Sequence, residues 1–158
     1  MGRIESRLDE LGIVLPKPMD LGPLPFELVR IHGERAILSG HLPLDAEGAL
    51  AQPLGKVGAE VSAEQGYQAA RLVGCALLAS LKQALGDLDR VAGWVRLFGM
   101  VNAAPGFNRL PAVINGCSEL ILQVFGPEAG AHARSAVGLA ELPFGAPVEL
   151  EGEVLIQP

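Results

Sequence analysis

The sequence predicts an α+β fold, a two-layer sandwich in which one mixed β-sheet carries two helices on one face. Along the chain the predicted elements follow the order hairpin, helix, strand, helix, strand, strand. Stretches 62–85 and 108–125 carry apolar residues at helical spacing, and stretch 91–101 is apolar on both of its alternating faces. The second face of the sheet is then apolar and is not covered by any helix. We therefore expect a cyclic trimer in which these faces pack together.

The chain is expected to form one domain over residues 1–158, a length that suits a single hydrophobic core. Residues 1–25 form an extension ahead of the sheet. Within it, residues 3–11 are predicted to be a short amphipathic helix that ends at Gly12. A proline-rich connector follows, which we expect to be extended because proline cannot donate a backbone hydrogen bond. Its prolines are Pro16, Pro18, Pro23 and Pro25.

A hairpin begins the sheet, with predicted strands at Phe26–Ile31 and Ala36–Gly40. The pair Ser39-Gly40 ends its second strand. A small hydroxyl beside a residue without a side chain leaves room for a ligand to approach the backbone. An ordinary strand end has the same composition, and spacing alone favours that simpler interpretation.

Local signals bound the two long helices. Ser62 and Gln65 form a capping-box pattern, and the helix that follows is predicted to end at Gly86. Asn108 is the predicted N-cap of the second helix, and Gly126-Pro127 is its predicted end. Two polar residues of this helix lie one turn apart and share a side, Asn115 and Ser118.

Three strands complete the predicted sheet, at 91–101, 130–142 and 147–156. Simple alternation in the first groups Trp94 with Phe98 on one face. The last strand carries three alternating glutamates on one face, which most simply form a solvated surface. They are Glu149, Glu151 and Glu153.

Composition excludes several classes of function. The net charge is −6 and no basic cluster is present, which argues against a nucleic-acid partner. No apolar run reaches the length of a membrane span, and the charged start is unlike a secretory leader, so we expect a cytoplasmic protein without a membrane partner. Cys75 and Cys117 are isolated and predicted to be buried, and the histidines lack ligand spacing. We therefore expect no metal site, and no cofactor motif is visible either.

One charge lies in an unusual place. Arg134 occupies an apolar stretch of a predicted strand with no acid beside it in the sequence. A guanidinium is never deprotonated in a protein, so it must reach water or meet an anion. The candidate anion is a ligand carboxylate, with Glu149 across from it. Strand arginines are nevertheless more often structural than catalytic.

Two segments give the chain a resemblance to a known family. The run from Ala133-Arg134-Ser135 through Leu142-Pro143 to Val148-Glu149 resembles the closing motif of the reactive-intermediate deaminase (Rid, or YjgF-like) family. The segment 37–43, Ile-Leu-Ser-Gly-His-Leu-Pro, resembles an early motif of the same family. The resemblance covers most of the chain from about Phe26 to Ile156.

The resemblance implies a chorismate-mutase-like fold with a six-stranded sheet and two helices, assembled as a homotrimer with ligand clefts between subunits. In active members the residue matching Arg134 holds the carboxylate of a 2-imino acid or enamine. The residue matching Glu149 positions a water that attacks the imine carbon, which releases ammonia and leaves a 2-keto acid. Ser39 matches a serine of the cleft, and a cleft asparagine matches Asn115 or, with one inserted residue, Ser118.

Several departures indicate a divergent subgroup. The site tyrosine of typical members falls at or near Phe26, which lacks the hydroxyl. A cysteine after the arginine is Ala136 here, and a glutamine is His41. Two functions follow as alternatives. The chain is a hydrolase that deaminates imines or enamines, or it is a non-catalytic trimeric module that binds small carboxylate metabolites. The family's ribonuclease label fits poorly with the acidic charge.

Overall fold

The structure is a computed structural model that describes residues 1–158. Its regular elements alternate along the chain, and two short 3₁₀ turns, Leu88–Arg90 and Pro143–Gly145, join some of them. The helices and strands are α1 (Arg3–Glu10), β1 (Val29–His32), β2 (Arg35–His41), α2 (Ala63–Leu85), β3 (Val91–Asn102), α3 (Leu110–Ala129), β4 (Ala133–Leu139) and β5 (Val148–Ile156).

One mixed sheet holds all the strands in the order β1-β2-β5-β3-β4. Its neighbouring strands are antiparallel except for the parallel pair β3 and β4. The sheet has five strands, so the sixth that the family resemblance implies is wrong for this chain. Between β2 and α2 the chain forms only isolated bridges, among them Leu44 with Leu50. Pro43 and Pro53 lie in this segment, and proline cannot donate the hydrogen bonds of a strand ladder.

Helices α2 and α3 cover one face of the sheet, as the sequence predicts. They approach each other closely at two glycines. A Cβ atom on Gly116 would lie 2.0 Å from the carbonyl oxygen of Tyr67, and one on Gly74 would lie 2.6 Å from Leu120. Glycine is therefore required where the two helices touch. The fully buried side chains between helices and sheet include Leu77, Leu78, Leu81, Leu97, Ile114, Leu120, Ile121 and Leu150.

Strand β3 contains a bulge that simple alternation misses. Its register with β5 shifts between Trp94 and Arg96, which turns Trp94 towards the helices. Trp94 is 5% exposed, and its ring meets Phe125 of α3 edge to face at 5.9 Å. The grouping of Trp94 with Phe98 is therefore wrong, because the extra residue reverses the face.

The predicted helix signals are largely confirmed. Ser62 and Gln65 form the capping box of α2, and Gly86 ends the helix. Helix α3 differs at both of its ends. Arg109 rather than Asn108 is the N-cap residue, and the helical turns resume after a break at Gly126, whose φ is 82°.

The hairpin begins later than predicted, at Val29 instead of Phe26. The Ser39 hydroxyl donates to the carbonyl oxygen of Glu27 at 2.6 Å, and the Ser39 amide donates to that of Leu28. Residues 26–28 therefore run beside the end of β2 without forming a regular ladder.

At the other edge, β4 spans Ala133–Leu139, shorter than the predicted 130–142.

The N-terminal helix α1 is held by a cap from outside its own segment. Both carboxylate oxygens of Asp89 accept from its first turn, at 2.7 Å from the amides of Arg3 and Ile4. Ile4 and Leu8 are buried against the main core. The connector that follows contains no helix or strand up to Val29. No helix combines the length and apolar character needed to cross a membrane.

Candidate functional site

Arg134 lies on β4, at the edge of the sheet, on the face that the helices cover. Its register partner on β3 is Leu97, which is fully buried under α3. Nη1 of Arg134 donates to the Ser118 hydroxyl at 3.0 Å, and Nη2 donates to the Pro111 carbonyl oxygen at 3.3 Å. No carboxylate pairs with this guanidinium. The prediction that this guanidinium meets a ligand carboxylate stays a prediction.

A short chain of hydrogen bonds continues from Arg134 into the protein. Ser118 is 8% exposed, and its hydroxyl lies 2.9 Å from Nε2 of His132. Nδ1 of His132 lies 2.7 Å from the carbonyl oxygen of Gly130. Sequence reasoning missed His132 because it sought metal-ligand spacing. Residues two apart on a strand share a face, so the position of His132 two residues before Arg134 could have identified it.

The two polar candidates of α3 are not equivalent. Ser118 contacts Arg134 directly, whereas Asn115 is half-buried and its side-chain amide makes no hydrogen bond within the chain. Of the two residues, only Ser118 therefore contacts Arg134. A direct ligand contact by Asn115 stays a prediction.

Glu149 lies on the opposite, open face of the sheet. Its register partner on β3 is Met100, three residues from Leu97, and the alternation of a strand turns these two to opposite faces. Burial raises the pKa of the Glu149 carboxyl, and the nearby Glu151 raises it further. Its backbone belongs to the ladder with β3, but its carboxyl makes no hydrogen bond or ion pair within the chain. It is a half-buried carboxyl without a partner within the chain.

Gly40 makes room for this carboxyl. A Cβ atom at Gly40 would lie 2.2 Å from Oε1 of Glu149, a distance that real side chains do not adopt. The space expected above Ser39-Gly40 for a ligand is thus filled by Glu149 itself. The glycine fixes where the carboxyl lies, so a ligand would meet the carboxyl and not the Gly40 backbone.

The remaining predicted residues surround the same end of β2. The Ser39 hydroxyl is occupied by the carbonyl oxygen of Glu27, and Phe26 is 46% exposed. His41 points the other way, into the helix layer. It is 2% exposed, and its ring nitrogens meet the Ser39 carbonyl oxygen at 2.6 Å and the Ser80 hydroxyl at 2.8 Å. Burial lowers the pKa of His41.

The cysteines lie in the core between the two long helices. Burial raises the pKa of both thiols, Cys75 and Cys117, which fits inert hydrophobic packing. No group of three His, Cys, Asp or Glu side chains is arranged to hold a metal ion.

The chain resembles known proteins over nearly its whole length. Residues 5–146 match the family model described as "YjgF/chorismate_mutase-like, putative endoribonuclease". The protein TCP17 of Trypanosoma cruzi is 41% identical over 153 residues, which cover 97% of this chain and 94% of TCP17.

Two crystal structures have the same fold. Atu1372 from Agrobacterium tumefaciens, described as of unknown function, is 40% identical and has a TM-score of 0.86, with 98% of this chain and 94% of Atu1372 covered. A Shewanella oneidensis protein described as a "putative endoribonuclease" is 31% identical with a TM-score of 0.90, and 97% and 99% of the two chains are covered. The resemblance seen in the sequence is thereby confirmed, and the chain belongs to the YjgF-like (Rid) family.

Proposed function

We propose that this chain forms a homotrimer and hydrolyses small 2-imino acids or enamines to 2-keto acids and ammonia, in clefts between subunits. One observation carries the proposal. Arg134 and Glu149 each present an unpaired charged group, and they do so from opposite faces of one sheet. One copy cannot direct both groups at one small ligand. Two copies can, if the helix-side edge of one packs beside the open face of the next.

Arg134 is suited to bind the substrate carboxylate. A guanidinium presents a rigid fork whose N–H donors match both oxygens of a carboxylate. Two of its donors are already used by Ser118 and the Pro111 carbonyl oxygen, which hold the group in place. Because no protein acid competes for the remaining donors, the charge is available to a ligand.

Glu149 is suited to activate water. In the proposed step the carboxylate takes a proton from water while the water oxygen bonds to the imine carbon and the C=N π pair moves to nitrogen. Glu149 then returns that proton to the nitrogen. The product is a neutral carbinolamine. Its hydroxyl proton passes to the nitrogen as the C=O bond forms and the C–N bond breaks, so the nitrogen leaves as ammonia. An imine carbon is already electrophilic, so little further machinery is required.

The environment of Glu149 supports this role. Burial raises the pKa of its carboxyl, and a stronger base takes a proton from water more readily. The carboxyl makes no bond within the chain that a water would have to displace. Oε1 lies above Gly40, where any larger residue would collide with it.

A second function deserves a test because of Phe26. The family tyrosine at this place has a hydroxyl, and this chain presents only an exposed ring. A cleft that keeps Arg134 but lacks that hydroxyl could hold a carboxylate without hydrolysing an imine. The alternative is therefore a trimeric module that binds small carboxylate metabolites.

An imine-trapping assay separates the two functions. An amino-acid oxidase generates the imine in situ, semicarbazide traps what remains, and wild type is compared with Arg134→Ala and Glu149→Gln. Arg30→Ala and Glu34→Gln are the matched controls, since both side chains are exposed and make no bond. Loss of activity in the two site variants but not in the controls supports the enzyme. Equal imine loss in wild type and Arg134→Ala overturns it.

Titration with 2-ketobutyrate or benzoate tests the alternative. A wild type that binds these carboxylates through Arg134 yet consumes no imine is the binding module. If wild type binds neither carboxylate and consumes no imine, both functions are wrong for this cleft.

A further inference from the structure

We propose that His132 is a positioning residue that fixes Arg134 for carboxylate binding by orienting the hydroxyl of Ser118. The inference rests on the proposed function, in which Arg134 binds the ligand. It adds a residue that the family motifs do not include. Its basis is the chain of hydrogen bonds that links Gly130, His132, Ser118 and Arg134.

The direction of each hydrogen bond follows from the chemistry of the two ends. The Gly130 carbonyl oxygen can only accept, so Nδ1 of His132 carries the proton. A guanidinium can only donate, so Arg134 Nη1 donates to the Ser118 oxygen. The Ser118 proton is then free to be donated to the unprotonated Nε2 of His132. In this series of hydrogen bonds each donor therefore meets an acceptor.

This arrangement decides which way the serine oxygen faces. An unrestrained serine hydroxyl in a helix rotates, and it can donate its proton to a backbone carbonyl oxygen one turn back. Because His132 draws the Ser118 proton to itself, a lone pair is left for Arg134. Ser118 is buried, so few other partners compete for the hydroxyl.

The backbone places His132 for this role. Gly130 follows the last turn of α3, and a Cβ there would lie 2.6 Å from the carbonyl oxygen of Gly126 and 3.0 Å from that of Ile121. The chain can therefore pass this close to α3 only with glycine. The tight passage brings His132 back beside Ser118 in the middle of the helix.

The consequence is a guanidinium that is held before the ligand arrives. Of its five N–H donors, Ser118 and Pro111 use two, and three stay available for a carboxylate. A fixed fork loses less conformational freedom on binding than a mobile one, which strengthens affinity. Because the carboxylate is held equally in substrate and transition state, the loss of this restraint should raise KM and leave kcat nearly unchanged.

Nitrogen NMR of the ligand-free protein tests the restraint directly. We expect the Nδ1–H tautomer of His132, and separate Nη signals for an Arg134 that does not rotate. In His132→Leu and Ser118→Ala the two Nη signals should merge. In His132→Gln, whose side-chain oxygen can accept from Ser118, they should stay separate. An Nε2–H tautomer in wild type, or separate Nη signals in His132→Leu, would overturn the inference.

A double-mutant cycle tests the route through Ser118. Titration with 2-ketobutyrate should show about tenfold weaker binding for His132→Leu and for Ser118→Ala, the size expected for one lost hydrogen bond to a charged group. The double variant should be no weaker than Ser118→Ala alone, and His132→Gln should bind like wild type. Additive losses would show that His132 acts by another route and would contradict the inference. If wild type binds no carboxylate and consumes no imine, the proposed function fails, and the NMR result still decides whether His132 fixes Arg134.

Discussion

Arg134 and Glu149 lie on opposite faces of the same sheet, with strand β3 between their strands. In the strand register, Arg134 lies opposite Leu97 on the helix side of the sheet, and Glu149 lies opposite Met100 on the open side. Neither charge has an acid or base partner within the chain. A cleft that uses both residues, as we propose, therefore has to be completed by a second copy.

Replacing Gly40 by alanine should displace the Glu149 carboxyl, the proposed catalytic base, and leave the fold intact. The new Cβ would collide with Oε1 of Glu149, which is the end of a flexible side chain and can move away. We expect kcat to fall at least about tenfold, since misplacing a catalytic group by about 1 Å is costly. Carboxylate binding at Arg134 should change little. The imine-trapping assay and a 2-ketobutyrate titration measure the two effects.

Gly93→Ala is the matched control for this substitution. Gly93 also lies in a strand, and a Cβ there would have no neighbour closer than the Ala129 carbonyl oxygen at 3.9 Å. Its activity should stay near that of wild type. An equal loss in Gly40→Ala and Gly93→Ala would show that the effect has nothing to do with Glu149.

The acid limb of the pH dependence of kcat/KM should reflect the ionisation of the Glu149 carboxyl. As a base it must be ionised, so kcat/KM should fall as pH drops through its raised pKa, at higher pH than the ordinary glutamate value of about 4.3. Glu151 contributes to the raised pKa, so Glu151→Gln should shift this limb towards lower pH. A limb that does not move in Glu151→Gln, or that persists in the residual activity of Glu149→Gln, would assign it to another group.

Buried His41 should make the fold sensitive to mild acid. Its pKa is lowered in the folded protein, so the unfolded chain takes up the proton first as pH falls. The stability contributed by neutral His41 is complete above about pH 6.5 and is lost below it, by up to about 1.4 kcal/mol per pH unit. Urea unfolding between pH 7.5 and 5.5 measures this. His41→Gln should lose less stability over that range, while exposed His32→Gln should match wild type.

The capping carboxylate of Asp89 should contribute measurably to stability. Asp89→Ala removes the acceptor for the amides of Arg3 and Ile4, and we expect a loss of about 1 kcal/mol in the free energy of unfolding. Asp9→Ala is the control, because the Asp9 carboxylate makes no hydrogen bond or ion pair. Equal stability of the two variants in urea unfolding would show that the cap contributes nothing.

The helical layer was predictable because its signals are local. The capping box at Ser62 and the stop at Gly86 both act within one turn, and both are confirmed. The motif around Arg134 was specific enough to give the family. The alternation of β5 also placed Glu149, Glu151 and Glu153 on one face, as half-buried or exposed side chains.

What the sequence could not give depends on contacts between distant segments. The bulge that turns Trp94 inward is set by pairing with β5, so simple alternation misplaces that residue. The missing sixth strand was an expectation carried over from the family; between β2 and α2 the chain forms only isolated bridges. His132 was overlooked because its importance lies in a hydrogen bond to Ser118, fourteen residues earlier.

Subunit complementation shows whether Arg134 of one copy and Glu149 of another meet in one cleft. Arg134→Ala and Glu149→Gln are each expected to retain only residual activity. They are coexpressed in equal amounts so that mixed oligomers form. If each cleft takes Arg134 from one copy and Glu149 from another, random mixing restores about a quarter of the clefts and a corresponding share of imine hydrolysis. If mixed oligomers are isolated and show no activity above that of the separate variants, the two residues do not meet across subunits and the account is contradicted.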